Sequence, residues 1–494
     1  MGQYITTDTE LSMVADALRS KTSSSKPLIF PDDFIYEIYE EAGGADVDTR
    51  MVQRMIRSHY TNQYITELGP DALCKLPITA VSLKNCVTVQ TAAFAQCSML
   101  TDVHLPDCTY ISDYAFASCA ALSSVEFPEL ISMGSSVFMD SPNLKYVNFP
   151  KLSGSITYDA FRSCTSLESV NAPLCSGIRP FAFSGCTMLS QINAPQCEFI
   201  GYAAFMDCGQ LTSASFPVCS FVGQSGYKNC HNLESVSFPS CTYIYEAGFC
   251  SCSKLRSAIF PLCSHISRSA FYTCINLSSI YFPICEVVDN SAFYGCANIT
   301  VADFPLCSSI GYNAFIDCEN LMTASFPECT YIGANVFQRC SKLSSIYAPK
   351  CVSLADYTFE GCSSLTAAYF PSCSYVHGSA FKNCVNLKSV DLRACDHFGY
   401  CVFENCERLE TLHLSGINYS YSYSHYSSVL TGCTRLKSVY FHSSTMISVR
   451  YVGETFYKLF SGIPKNQLKF YVLSSLYSEY MSAYFSLRSM FLSF

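Results

Sequence analysis

Two cysteine positions eleven residues apart, recurring every 22 residues, govern what this 494-residue chain can fold into. The stretch AFASCAALSSVEFPELISMGSS at residues 115–136 has a relative at that period from about Ala72 to about Tyr440. Its skeleton is F-x-x-C-x-x-L-x-x-V-x-F-P-x-C-x-x-I. The first cysteine position runs from Cys97 to Cys406, with Ser141 in its one gap. The second runs from Cys108 to Cys395, lapsing at Leu130 and Lys151-Leu152. Self-similarity at a short period marks a solenoid, because one such unit cannot bury its apolar face without neighbours stacked on it. The period is too short for the paired helices of repeats of about 33 to 47 residues.

Within one unit, L-x-x-V-x-F places apolar residues two apart, the period of a half-buried strand. Val125 and Phe127 then face inward and Glu126 outward. Proline lacks an amide hydrogen and fixes φ, so Pro128 ends the strand at once. Ile131-x-x-Gly134 reads as a second turn, and an AF-x-x-C segment such as Ala160-Phe161 to Cys164 has room for one helical turn or a tight bend. The expected architecture is a leucine-rich-repeat-like, right-handed coil with a parallel sheet on one face and short helical turns or bends on the other.

The frame AF-x-x-C-x-x-L-x-x-V-x-F-P-x-C-x-x-I-G resembles the BspA-like leucine-rich repeats of gut Firmicutes over about three quarters of the chain. The N-terminal Glu10-Leu11-x-x-Val14-Ala15-Asp16-Ala17-Leu18-Arg19-x-Lys21-Thr22, followed by Phe30-Pro31, resembles the flank of versions carried by phages or prophages of those bacteria. Leu468-Lys469-Phe470-Tyr471-Val472-x-Ser474-x-Leu476, continuing to Tyr480, is similar to the segment that closes such arrays, without the tryptophan expected after it. The resemblance implies a binding protein: an adhesin or receptor-binding component, phage-tail associated or displayed on a bacterial surface.

Four domains follow: a helical attachment segment and linker at 1–45, a cap and degenerate first repeat at 46–92, the repeat array at 93–445 and a C-terminal cap at 446–494. Thr7 and Glu10 have capping-box spacing, and Leu11, Val14, Ala15 and Leu18 share one face of a helix over 6–22. A second short helix is expected over 33–41 and a third over 46–58, with a linker at 42–45. The N-terminal pair is too small to be stable alone and is expected to dock on a partner or to oligomerise.

Net charge of −9 leaves no basic stripe, which argues against nucleic acid as a partner. Residues 470–494 are the most apolar end, but serines, Glu479 and Arg488 interrupt them, so no membrane span is expected. MGQYITTDTELS lacks the pattern of a secretory signal. The expected location is a virion or the cell surface, with the protein cytoplasmic until release. Charged residues make up only 14% of the chain, well under the roughly 25% usual for soluble proteins. Ser, Thr, Asn and the 34 Tyr must therefore supply the polar surface, a composition that suits recognition.

The 31 cysteines allow three readings. An odd number without a secretory signal argues against a disulfide framework, and C-x10-C along a solenoid does not converge four ligands on one metal. Two ladders of buried thiols remain, cysteine acting as a small hydrophobe in a crowded bend. Cys74, Cys250 and Cys401 fall outside the ladders, and Cys250 and Cys401 are the expected exposed thiols. Cys395, His397, Cys401 and Cys406 can be drawn as a zinc set, but two of them are ladder members.

Two surfaces are candidate binding sites. The outward position between V and F gives a row that turns aromatic and acidic toward the C-terminus: Tyr281, Tyr347, Tyr369, Asp391, His413 and Tyr440. Beside it, an insertion over 416–428 carries Tyr419, Tyr421, Tyr423 and Tyr426. Both are expected to contact a protein or cell-surface glycan. No nucleophile elbow, P-loop, metalloprotease helix or dinucleotide fingerprint occurs, so neither an enzyme nor a cofactor is expected.

Overall fold

The computed structural model describes residues 60–61, 64–416, 429–444, 460, 463–464, 466–483 and 489–494. The helices expected over 6–22, 33–41 and 46–58, the linker at 42–45, and Tyr419, Tyr421, Tyr423 and Tyr426 lie outside the described residues. The chain divides into two compact units between Leu233 and Glu234, each a stack of 22-residue coils.

In the N-terminal unit, one coil shows how sequence becomes structure. Ser124–Glu126 is a strand with Val125 buried and both neighbours exposed, and it pairs in parallel with Tyr146–Asn148, Val125 opposite Val147. The strand stops before Pro128, as the missing amide requires. The segment read as a turn, Ile131-x-x-Gly134, instead contains a second strand, Ser132–Met133, paired in parallel with Tyr110–Ile111. Each coil thus contributes to two parallel ladders, not one. Two residues suffice for a strand here because the coils on either side hold its hydrogen bonds. Gly201 and Gly223 follow such strands at successive coils, and a Cβ on Gly223 would lie 2.7 Å from the Gly201 carbonyl carbon. Glycine permits that backbone-on-backbone stacking.

The AF-x-x-C side is a compact bend and not a helical turn. Its amides bond to the next coil, Phe116 N–H to Val137 O at 2.8 Å and Ser118 N–H to Met139 O at 2.8 Å. The bend needs two left-handed residues four apart, as at Tyr114 (φ 57°) and Ser118 (φ 58°). The second of these, just before the cysteine position, holds Gln96, Ser163, Ser251, Thr273 and Arg339 in five other coils and Asp, Asn or Gly in most of the rest, as at Asp140, Gly185, Asp207, Asn229, Gly295, Asp317, Gly361, Asn383 and Asn405. Gly, Asn and Asp are the residue types that enter that region at least cost.

Inside, the F-x-x-C phenylalanines stack ring on ring, from Phe94 and Phe116 at 4.8 Å to Phe183 and Phe205 at 5.2 Å in the first unit. The second unit repeats the pattern from Phe249 and Phe271 at 5.3 Å to Phe381 and Phe403 at 5.5 Å. Offset parallel rings at this spacing add stabilisation beyond area burial.

Both cysteine positions are buried ladders, and the thiols do more than fill space. In the first ladder the Sγ–H donates to a carbonyl of the preceding coil, that of Leu73 for Cys97 and of the stacked phenylalanine in most others, as Cys186 to Phe161 O at 3.0 Å and Cys296 to Phe271 O at 3.1 Å. In the second, each donates to the carbonyl two residues on, as Cys175 to Gly177 O at 3.1 Å. Cys86 and Cys433 extend the two ladders outward by one coil each, Cys86 donating to Thr88 O and Cys433 to Phe403 O. Ser141 keeps the function of its gap, donating to Phe116 O at 3.1 Å and accepting from Cys119 N–H at 3.2 Å. Burial pushes the Cys108 and Cys164 thiols up to about 12, so they stay protonated as the donated bonds require. Of the drawn zinc set, Cys395 donates to His397 O and Cys406 to Phe381 O.

The extra residue near Ser153-Gly154 is absorbed on the short-strand side. There the ladder thins to single bridges, Ile156 to Ile178 to Ile200, while Tyr146–Asn148 and Ser169–Asn171 stay in register.

Candidate functional site

At the C-terminal end of the second unit the repeat loses its proline. Its position is taken by Arg393, Ser415, His442 and Leu473 in four successive coils. In these coils the strands are four residues long, Ser389–Leu392, Thr411–Leu414, Ser438–Phe441 and Lys469–Val472, and the His442 amide that proline would lack donates to Leu414 O at 2.7 Å. The position just after each strand then carries an outward side chain in place of proline, so a further row lies next to the Asp391–His413–Tyr440 row.

The first row runs in strict parallel register, Tyr369 to Asp391 to His413 to Tyr440 to Tyr471. The His413 and Tyr440 rings stack at 4.5 Å and 8°, and Tyr440 and Tyr471 at 4.4 Å and 11°. The second row supplies Arg393 and His442. Arg393 Nε donates to Asp391 Oδ1 at 3.1 Å, its Nη2 reaches the other carboxylate oxygen, and its guanidinium lies over the Tyr369 ring at 6.0 Å. His442 Nε2 sits 2.9 Å from His413 Nδ1. Phe494 closes the corner, edge-on to Tyr440 at 5.5 Å and to His442 at 5.3 Å.

Electrostatics fix the charge of this surface. Partial burial would raise the Asp391 carboxyl, but the Arg393 hydrogen bonds and charge outweigh it and hold it below the usual carboxylate range. Partial burial pushes both imidazoles down; the Arg393 charge adds to this, and Asp391 opposes it in each case. The histidines are therefore neutral at pH 7, joined by a bond in which one donates and the other accepts. The result is a rigid, half-exposed aromatic surface with one locked ion pair at its edge. Such a surface offers large contact area at little entropic cost.

Of the row expected from the sequence, Tyr369, Asp391, His413 and Tyr440 are consecutive. Tyr347 stands one coil earlier, 52% exposed. Tyr281 is three coils before Tyr347, with Asp303 and Ser325 between them in the row. Arg393, His442, Tyr471 and Phe494 were not anticipated. The loss of proline at Arg393 and His442 was the available signal, since it announces a longer strand. Among the described residues no group of three or more His, Cys, Asp or Glu is placed to hold a metal ion, and no helix is long and apolar enough to cross a membrane.

Fold and surface together define a parallel β-solenoid of the leucine-rich-repeat class. The chain belongs to the BspA-type leucine-rich repeat family: the model of the BspA type leucine rich repeat region, six copies, matches residues 66–190, 176–300, 286–410 and 352–459. A leucine-rich repeat protein from Bacteroides ovatus shares 23% identity and a TM-score of 0.53, over 74% of this chain and 88% of its own. A leucine rich cell surface protein from Faecalibacterium prausnitzii shares 19% identity, with a TM-score of 0.33 over 66% of this chain and 86% of its own. No curated protein sequence matches.

Proposed function

We propose that this chain is a non-enzymatic binding protein, an adhesin or receptor-binding component that recognises a protein or cell-surface glycan through the Tyr369–Asp391–His413–Tyr440 row. The observation that carries this reading is the stack of His413, Tyr440 and Tyr471, held parallel by strand register with its edges exposed. Rings fixed before binding lose little entropy on contact, and clustered aromatics with a neighbouring Arg are the usual composition of interaction hot spots. Tyr347 and Tyr281 extend the same row toward earlier coils, and Tyr419, Tyr421, Tyr423 and Tyr426 belong to the insertion between two of its strands.

The flank around Glu10 to Thr22 supports a setting on a phage tail, where residues 1–45 attach the protein to the virion and the array faces outward. A bacterial surface adhesin and a structural spacer are the readings it competes with. Binding of the purified full chain to gut Firmicutes cells and their cell-wall glycans tests the proposal. Wild type is expected to bind, and Tyr369→Ala with Tyr440→Ala to lose at least tenfold in affinity while keeping its circular dichroism. Equal binding by the variant overturns the site; no binding by wild type favours the spacer. Mass spectrometry of purified virions from an induced host culture decides the setting.

A further inference from the structure

The N-terminal unit carries a different surface on its long-strand face. Across the strands Asp102–His104, Ser124–Glu126, Tyr146–Asn148 and Ser169–Asn171 the face dips into a groove of about 590 Å³. Along it, side chains in register form a relay of hydrogen bonds. Asn193 Nδ2 donates to Asn171 Oδ1 at 2.7 Å, Asn171 Nδ2 to Asn148 Oδ1 at 2.8 Å, and Asn148 Nδ2 to Glu126 Oε1 at 3.0 Å. Beside Asn148 stands Tyr146, 50% exposed, its hydroxyl donating to Glu168 Oε2 at 2.7 Å.

A carboxamide has two N–H donors and two acceptor lone pairs. The relay uses one of each on Asn148 and Asn171. Each is left with one donor and one acceptor, held in a fixed orientation and repeated at the strand spacing of about 4.8 Å. Groups that donate and accept at once, in adjacent pairs, complement such a row; the vicinal hydroxyls of a sugar ring are of that kind. The Tyr146 ring, tethered through its hydroxyl, offers a flat apolar face for the C–H side of the same ring.

Charge and shape narrow the class. Asp102 and Glu126 line the groove and no lysine or arginine does, which disfavours a polyanion. Val103, Val125 and Val147 point into the core and are buried, so no pocket receives the side chains of a peptide. Tyr146–Asn148 and Ser169–Asn171, which carry the tyrosine and both central asparagines, already pair on both sides, so neither offers a free edge to an added strand. We infer that this groove is a binding site for a neutral, linear oligosaccharide, distinct from the aromatic row of the second unit.

The test is calorimetry of the full chain with neutral hexasaccharides built on glucose, mannose, galactose and N-acetylglucosamine, with heparin and an extended Gly-Ser peptide beside them. At least one neutral hexasaccharide is expected to bind. Asn148→Ala with Asn171→Ala should weaken it tenfold or more, Tyr146→Ala should do likewise, and Tyr146→Phe should stay within about threefold. All three side chains face outward, and an unchanged melting temperature in each variant shows that the coils remain intact. Each variant should also keep whatever cell binding the aromatic row confers, so failure at one surface is told apart from failure at the other. The inference is overturned if no neutral hexasaccharide binds wild type at millimolar concentration, if the asparagine variant binds as well as wild type, or if heparin or the peptide is the one ligand bound.

Discussion

His413 Nδ1 and His442 Nε2 lie 2.9 Å apart, one imidazole donating to the other across two neighbouring strands. The contact joins the two rows of the C-terminal surface. It exists because position 442 is not proline, which gives the strand its fourth residue and an outward side chain next to Tyr440.

Acid should loosen this end of the molecule first. Both histidines have pKa values below the ordinary 6.5, through partial burial and the charge of Arg393, with Asp391 opposing. The unfolded chain therefore takes up protons before the folded one does. The stability these groups contribute is complete above about pH 6.5 and declines as pH falls from there to their folded values. The second unit should melt several degrees lower at pH 5 than at pH 7.5, and His442→Gln should reduce that difference. An identical pH dependence in the variant would assign it to other groups.

Ser141 is the one hydroxyl in the first cysteine ladder and is fully buried. Ser141→Ala strands the Phe116 carbonyl and the Cys119 amide and should cost about 1–3 kcal/mol. Ser141→Cys restores the donor found in every other coil and should recover most of that. Urea unfolding of the two variants gives the comparison.

Thiol chemistry should separate the cysteines cleanly. Cys74, Cys250 and Cys401 are half-buried and the other 28 of the 31 are buried. Burial raises the ladder thiols, to about 12 at Cys108, Cys164 and Cys307, so thiolate is scarce at pH 8 and access is closed. An aromatic disulfide reagent should titrate at most three groups in the native protein and 31 in denaturant. Rapid reaction of many more in native buffer would show that the coils open readily.

Arg393→Pro returns one coil to the residue its predecessors use. The Arg393 amide bonds only the side chain of Asp391, at 3.3 Å, so the substitution should change stability by less than about 1 kcal/mol, the exposed ion pair being worth little by itself. Binding at the aromatic row should nevertheless fall, since Asp391 loses the partner that orients it. A melting temperature lowered by more than about 5 °C would mean that the longer strand, not the ion pair, is what the arginine maintains.

Much of this was legible in the sequence. The 22-residue period required a stack of coils, the alternation around Val125 and Phe127 gave the long strand, and Pro128 gave its end. The paired cysteine positions gave two buried ladders. The short strand at Ser132–Met133 was not legible: two residues carry no periodicity, and the flanking glycine reads as a turn. What makes that segment a strand is the hydrogen bonding of Tyr110–Ile111 on the adjacent coil.

The same division holds at the two surfaces. Sequence alone determined which side chains face outward in each coil, because strand alternation is local. It could not decide that Asn148, Asn171 and Asn193 would relay hydrogen bonds, that His442 would meet His413 from 29 residues away, or that Phe494 would turn its edge to Tyr440. Those contacts depend on the register and twist with which coils stack, and register is set by the whole buried face at once. The tertiary structure therefore decided which of the displayed residues become neighbours.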